Sequence, residues 1–233
     1  MEQYELKFKD GLRTGVPIFI GYFPMAMAFG LLAKAGNISF LATISFSIIV
    51  FAGASQFVAI NLLWAGVAAG EIILATFLLN FRHLLMSASL APRLTKKKHH
   101  WLPLVAFGVT DETFSVASTM PEKLNLNFML GLELISYSGW VSGTMAGFLI
   151  GSSLPASIQA SMGITLYAMF VAILIPQFKQ SVRVIILTIG SGVIHTILVA
   201  LKIFPSGWNL IIAMVIMALI GAIIFREDGG EQS

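Results

Sequence analysis

Two clusters of polar residues lie halfway along apolar stretches of this chain, and their residue types could do chemistry. One spans residues 80–83 (Asn-Phe-Arg-His) and the other spans residues 110–112 (Thr-Asp-Glu). Ionisable groups at the depth of a bilayer are costly, and they usually belong to a substrate or ion pathway. The two clusters therefore favour a transport role over a purely structural one.

The charged side chains of these clusters suit a zwitterionic substrate. Arg82 could bind a carboxylate and Asp111 an ammonium group, with Asn80 as a further substrate ligand. Histidine titrates near neutral pH, so His83, Asp111 and Glu112 are candidates for proton coupling. The alternative is that Arg82 and Asp111 form a buried ion pair that only holds two helices together.

Composition assigns the chain to the membrane. Of its 233 residues, 57% are hydrophobic and 11% are charged, whereas soluble domains carry about 25% charge. A chain of this length accommodates roughly seven or eight apolar segments of about 20 residues each. The predicted fold is therefore all-α, a polytopic bundle of transmembrane helices.

Charge distribution divides the chain into three parts. Residues 1–13 are predicted to be a cytoplasmic N-terminal segment, 14–225 a single transmembrane domain, and 226–233 a polar C-terminal tail. Arg93 and the lysines at 96–98 form the most basic loop, which the positive-inside rule also places in the cytoplasm. The charges alone do not fix the number of crossings, and a re-entrant hairpin at residues 39–68 is one alternative.

Two apolar segments are predicted to be broken near the midplane. Residues 14–34 contain Pro17 and Pro24, and a proline inside a helix removes a hydrogen bond. Residues 39–68 would form a helix of about 45 Å, longer than the hydrocarbon core of about 30 Å.

The predicted break in residues 39–68 falls among small and polar residues, which include Gly53 and Gln56. Broken helices at mid-depth let secondary transporters present backbone groups to their substrates. Gly53 and Gln56 are therefore added to the predicted substrate ligands.

Glycines recur at every fourth position late in the chain. Small residues at this spacing share one helix face and allow another helix to approach closely. The row predicts a tight helix contact, either within the chain or with a partner subunit. Its members are Gly139, Gly143, Gly147 and Gly151.

Other classes of function fit the sequence less well. The chain has no cysteine, and His83, Asp111 and Glu112 are too few for a metal site. We find no nucleophile–base pair or phosphate-binding loop, and the positive charge is typical of membrane orientation rather than nucleic-acid binding. We therefore predict no enzyme activity, no metal and no cofactor. A channel, a transporter of another small zwitterion and a structural membrane subunit stay open as alternatives.

Motifs in the first half of the chain resemble, in order, those of the AzlC/YgaZ/BrnF family, the large subunits of branched-chain amino acid exporters. The motifs are Gly21-x-x-Pro24 with Phe29-Gly30, then residues 51–57, 80–83 and 110–112.

The resemblance implies a multi-pass transporter in the plasma membrane of a bacterium or archaeon. It implies proton-coupled export of valine, leucine, isoleucine or similar amino acids. It also implies a small membrane subunit of the AzlD type, for which the glycine row is a candidate docking surface.

Overall fold

The computed structural model describes most of the chain. The described residues are 6–94, 100–120, 124–153, 181–202 and 206–224, with Phe204 and single positions between 155 and 179. The lysines at 96–98 and the tail at 226–233 lie outside them, so the predictions for these segments stay predictions. The chain forms two compact units, one within residues 1–60 and 79–166 and the other within residues 61–78 and 167–233.

Each named element in the described part of the chain is helical, which confirms the predicted fold class. The helices are α1 (Phe8–Ala35), α2 (Phe40–Val50), α3 (Gly53–Trp64), α4 (Ala69–Leu90), α5 (Leu102–Gly108), α6 (Asp111–Thr119), α7 (Leu126–Ile150), α8 (Val182–Leu201) and α9 (Ser206–Ile224). Within the described ranges, α1, α8 and the stretch Ala69–Arg93 are individually long and apolar enough to cross a membrane.

α1 is continuous, so the break predicted in residues 14–34 is wrong. The helix runs from Phe8 to Ala35 and contains both Pro17 and Pro24. A proline removes one hydrogen bond, whereas a full break would leave several backbone groups without partners. In a bilayer, where water cannot satisfy those groups, local accommodation of the proline costs less than a break.

The break predicted in residues 39–68 is confirmed. α2 ends at Val50, and α3 begins at Gly53. Between them Phe51 adopts the left-handed conformation, with φ 42° and ψ 44°, which is uncommon for a residue other than glycine. A left-handed residue cannot be part of a continuous right-handed helix, so Phe51 separates α2 from α3.

A second break divides residues 101–120, which the sequence pattern presented as one segment. α5 ends at Gly108 and α6 begins at Asp111. Thr110 caps α6, because its hydroxyl accepts the Thr113 N–H while the Thr113 hydroxyl accepts the Thr110 N–H. These caps satisfy backbone groups at the new helix end. The broken segments are therefore α2–α3 and α5–α6.

α1 and α7 pack closely and run parallel. Along α7, Gly131 lies against Phe8 and Gly147 against Met27, so the contacts advance along both helices together. The other glycines of the predicted row, at 139, 143 and 151, lie against Phe19, Phe23 and Leu31 of α1. The tight contact is thus made within the chain. The alternative, a docking surface for a partner subunit on this row, is wrong because α1 occupies it.

The second unit contains a helical hairpin. Gly190 of α8 lies under Met217 of α9, and Gly221 of α9 lies under Leu187 of α8, so these helices are antiparallel. Glycines again allow the close approach.

We expect Gly30→Ala to destabilise the first unit and Gly21→Ala to leave it intact. A Cβ at Gly30 would overlap the carbonyl oxygen of Thr144 and lie 2.7 Å from the Phe148 nitrogen, whereas a Cβ at Gly21 would meet nothing within 4 Å. Overpacking of this kind costs about 1–3 kcal/mol. Both changes raise helix propensity equally, so thermal unfolding in detergent isolates the packing effect. Equal unfolding midpoints would contradict the packing described here.

Candidate functional site

The two helix breaks meet around the ring of Phe51. Its centroid lies 6.2 Å from the ring of Tyr22 on α1, 6.0 Å from Phe107 on α5 and 5.0 Å from Tyr137 on α7. Non-helical backbone from α2–α3 and α5–α6 therefore comes to one region of the first unit. This region also contains the polar clusters that the sequence singled out.

Arg82 and Asp111 form an ion pair that joins α4 to the start of α6. The guanidinium nitrogen and the carboxylate oxygen are 3.0 Å apart. The side chains keep 34% and 26% of their surface exposed, so the pair is not the fully buried one of the structural alternative. The Nε of Arg82 is buried without a hydrogen-bond partner. The site thus presents both charges together with an unused donor.

Tyr22 links α1 to the other carboxylate of α6. Its hydroxyl oxygen lies 2.5 Å from Oε2 of Glu112 and 2.7 Å from the hydroxyl of Thr110. The phenol has one proton to donate. When it donates to Glu112, the Thr110 hydroxyl can donate in turn to the phenol. The arrangement is a short hydrogen-bonded chain that ends at a carboxylate, which is suited to holding or moving a proton.

Asn80 ties α4 to the α2–α3 break. Its Nδ2 donates to the hydroxyl of Ser55 at 3.0 Å, and that hydroxyl donates to the carbonyl of Ala52 at 2.9 Å. The Oδ1 of Asn80 is buried without a partner. An acceptor is therefore left open on the same helix as Arg82.

Gln56 is fully buried, and both ends of its amide are used. Its Oε1 accepts from Nε1 of Trp140 at 2.9 Å, and its Nε2 donates to the hydroxyl of Ser47 at 3.0 Å. Ser47 in turn pairs with Thr144 at 2.8 Å. The Gln56 amide therefore connects α2, α3 and α7, and its assignment as a substrate ligand stays a prediction.

Gly53 begins α3 beneath the indole of Trp140. A Cβ at this position would lie 2.5 Å from Cη2 of the ring, so only glycine fits without a shift. The Gly53 amide stands at the N-terminus of α3, where helix geometry leaves N–H groups without intrahelical partners. Its assignment as a carboxylate ligand stays a prediction.

His83 is half-buried on α4, directly after Arg82. The charges of both Arg82 and Asp111 act on it. His195 lies on α8 in the second unit. In the described part of the chain, no three His, Asp or Glu side chains converge as metal ligands. The chemistry that the Arg82–Asp111 pair and the Tyr22–Glu112 hydrogen bond allow is ion pairing and proton exchange.

Sequence reasoning missed two residues that hold this region, Tyr22 and Trp140. Tyr22 lies inside the Gly21-x-x-Pro24 motif, and Trp140 lies inside the glycine row. A hydrogen-bonding aromatic residue in a membrane helix usually finds a partner when buried. This tendency predicts that Tyr22 and Trp140 have hydrogen-bond partners, but it does not predict which residues those partners are.

One protein family and several known proteins are similar to this chain. The chain matches the family described as AzlC protein over residues 17–154. Inner membrane protein YgaZ of Escherichia coli is 37% identical, over 79% of this chain and 79% of its own. An uncharacterized membrane protein of Helicobacter pylori is 30% identical, over 98% of this chain and 99% of its own.

A third relative carries a functional name. Branched-chain amino acid transport protein AzlC of Bacillus subtilis is 28% identical, over 74% of this chain and 68% of its own. No solved structure matches the chain. The family match covers both helix breaks and the residues gathered around them, and it confirms the resemblance found in the motifs. The chain therefore belongs to the AzlC family of membrane transport proteins.

Proposed function

We propose that this chain is the large subunit of a secondary transporter that exports valine, leucine, isoleucine or similar amino acids across the plasma membrane. The observation that carries the proposal is the part-exposed ion pair between Arg82 and Asp111 beside two broken helices. A zwitterion offers the complementary charges, a carboxylate for Arg82 and an ammonium for Asp111. The name of the Bacillus subtilis relative, a branched-chain amino acid transport protein, supports the substrate class.

The ion pair can exchange partners. Both side chains keep part of their surface exposed, and a zwitterion offers each of them a group of the opposite charge. The unused Nε donor of Arg82 and the unused Oδ1 acceptor of Asn80 add hydrogen-bonding capacity for the two ends of the substrate. The N-terminus of α3 at Gly53 is a second proposed ligand for the carboxylate, because helix N-termini favour negative charge.

Glu112 is the proposed proton carrier. It follows Asp111 directly at the start of α6, so substrate bound at Asp111 and a proton held at Glu112 affect each other electrostatically. Tyr22 supplies the hydroxyl through which a proton can reach or leave the carboxylate. The charges of Arg82 and Asp111 act on His83, which is a second candidate for this role. Coupling of this kind would let proton entry drive amino acid exit.

The proposal includes a small membrane subunit of the AzlD type, as the family resemblance implies. The glycine row is not its docking surface, because α1 covers those glycines.

Efflux from preloaded cells tests the proposed function. We expect saturable efflux of valine, leucine and isoleucine when the chain is expressed with the small subunit, and slower efflux when a protonophore collapses the gradient. Methionine serves as an apolar amino acid without a branch. Flux that does not saturate would indicate a channel. No efflux of any of the four would overturn the assignment of substrate and direction.

Removal of the ion pair separates its structural role from its transport role. We expect Arg82→Ala to lower leucine efflux about tenfold or more, since hydrogen bonds to charged groups contribute about 1.5–3 kcal/mol. The double variant Arg82→Met with Asp111→Leu should insert and unfold normally, yet fail to transport. Arg13→Met, at an exposed arginine of α1, is the matched control. Transport by the double variant at the unmodified rate would show that the pair does not bind substrate.

Glu112→Gln tests the proton step on its own. We expect this near-isosteric change to abolish gradient-driven efflux while radiolabelled leucine still exchanges against unlabelled leucine, because exchange needs no net proton transfer. Glu71→Gln, in the first turn of α4, is the control and should retain both activities. Gradient-driven efflux by Glu112→Gln at the unmodified rate would exclude Glu112 as the proton carrier.

A further inference from the structure

Glu133 is a buried carboxyl group that the proposed transport site does not use. It lies on α7 with 5% of its surface exposed. Neither of its carboxyl oxygens has a hydrogen-bond partner. An isolated carboxylate is costly to bury, and a ligand that supplies the missing charge or hydrogen bonds would offset this cost.

The carboxyl group borders a cavity of about 320 Å³. The rings of Phe8, Phe51, Phe107 and Tyr137 form much of its wall, and leucines complete it. Ligand pockets have volumes of about 300–1,000 Å³, and a few polar groups fix the ligand among apolar walls. This cavity has the size and lining of a site for a small molecule with one polar end.

Gly108 makes the space for the Glu133 carboxyl. A Cβ at Gly108 would lie 2.5 Å from both Cδ and Oε2 of Glu133. The Gly108 carbonyl is already used, because it accepts from the Thr113 hydroxyl at 3.1 Å. The end of α5 therefore leaves room for the Glu133 carboxyl group but makes no hydrogen bond to it.

The residues that line the cavity indicate which class of ligand it would bind. One carboxylate attracts a cation, and aromatic rings add to that attraction through their faces. Ca²⁺ and Mg²⁺ need about six oxygen ligands, and one carboxyl does not provide them. No cationic side chain is among the described residues that line the cavity, so these residues offer the carboxylate of an amino acid no partner. A primary amine with an apolar tail meets all of these conditions.

We propose that this cavity is a second binding site, which takes a small apolar primary amine in its ammonium form with Glu133 as the counter-ion. Neither Arg82 nor Asp111 lines the cavity, and the proposal does not depend on the proposed export function. Phe51 borders the cavity and also contacts the ring of Tyr22, so it belongs to both regions.

Binding of 3-methylbutylamine to the purified full chain in lipid nanodiscs tests this site. By calorimetric titration we expect saturable binding to one site per chain. The uncharged analogue 3-methylbutanol and the anion 3-methylbutanoate should not bind measurably. This comparison needs no variant, so it holds even if a substitution prevents folding. Equal binding of the alcohol would show an apolar cavity only and would overturn the proposal, as would no amine binding at about 1 mM.

Variants assign the binding to the carboxyl group. We expect Glu133→Gln to weaken amine binding about ten- to hundredfold, the range for loss of a charge-assisted hydrogen bond. Gly108→Ala should also weaken it, because the added methyl group displaces the carboxyl. Glu71→Gln should bind as the unmodified chain does. Unchanged affinity in Glu133→Gln would exclude Glu133 as the counter-ion.

Discussion

The close parallel contact between α1 and α7 is the constraint on which the first unit depends. Glycines on both helices let the backbones approach until carbonyl oxygens lie where a Cβ would be. This proximity sets the rings of Tyr22 and Trp140 5.6 Å apart. Each of these residues then reaches one broken segment, Tyr22 the cap of α6 and Trp140 the amide of Gln56. The helix pair therefore positions both breaks.

Broken helices survive in a bilayer only when their exposed backbone groups find partners. Here side chains supply several of them. The Tyr137 hydroxyl donates to the carbonyl of Ile48 at the end of α2, and Thr113 donates to the carbonyl of Gly108 at the end of α5. Thr110 accepts at the start of α6. Because these groups are satisfied, the interruptions are stable parts of the fold.

The sequence predicted what depends on composition and local spacing. Charges are scarce in apolar segments, so Arg82 and Asp111 stood out. The length of residues 39–68, together with the small and polar residues near its centre, indicated a break. Apart from the Arg82–Asp111 pair, which was given as an alternative, the sequence did not predict contacts between distant segments. The glycine row indicated a close neighbour, but nothing local distinguishes α1 from a partner subunit. Pro17 and Pro24 suggested a break that the bilayer disfavours. The break before Thr110 was not predicted, because residues 101–120 have the pattern of one continuous apolar segment.

The parallel direction of α1 and α7 also constrains membrane topology. If both helices span the bilayer, they start on the same side, and the chain between them crosses the membrane an odd number of times. The stretch Ala69–Arg93 is long and apolar enough for one crossing; if it makes that crossing, α2–α3 and α5–α6 together make an even number. In that case the two broken segments share one topology. Either both traverse the bilayer, or both enter it and return to the side from which they came.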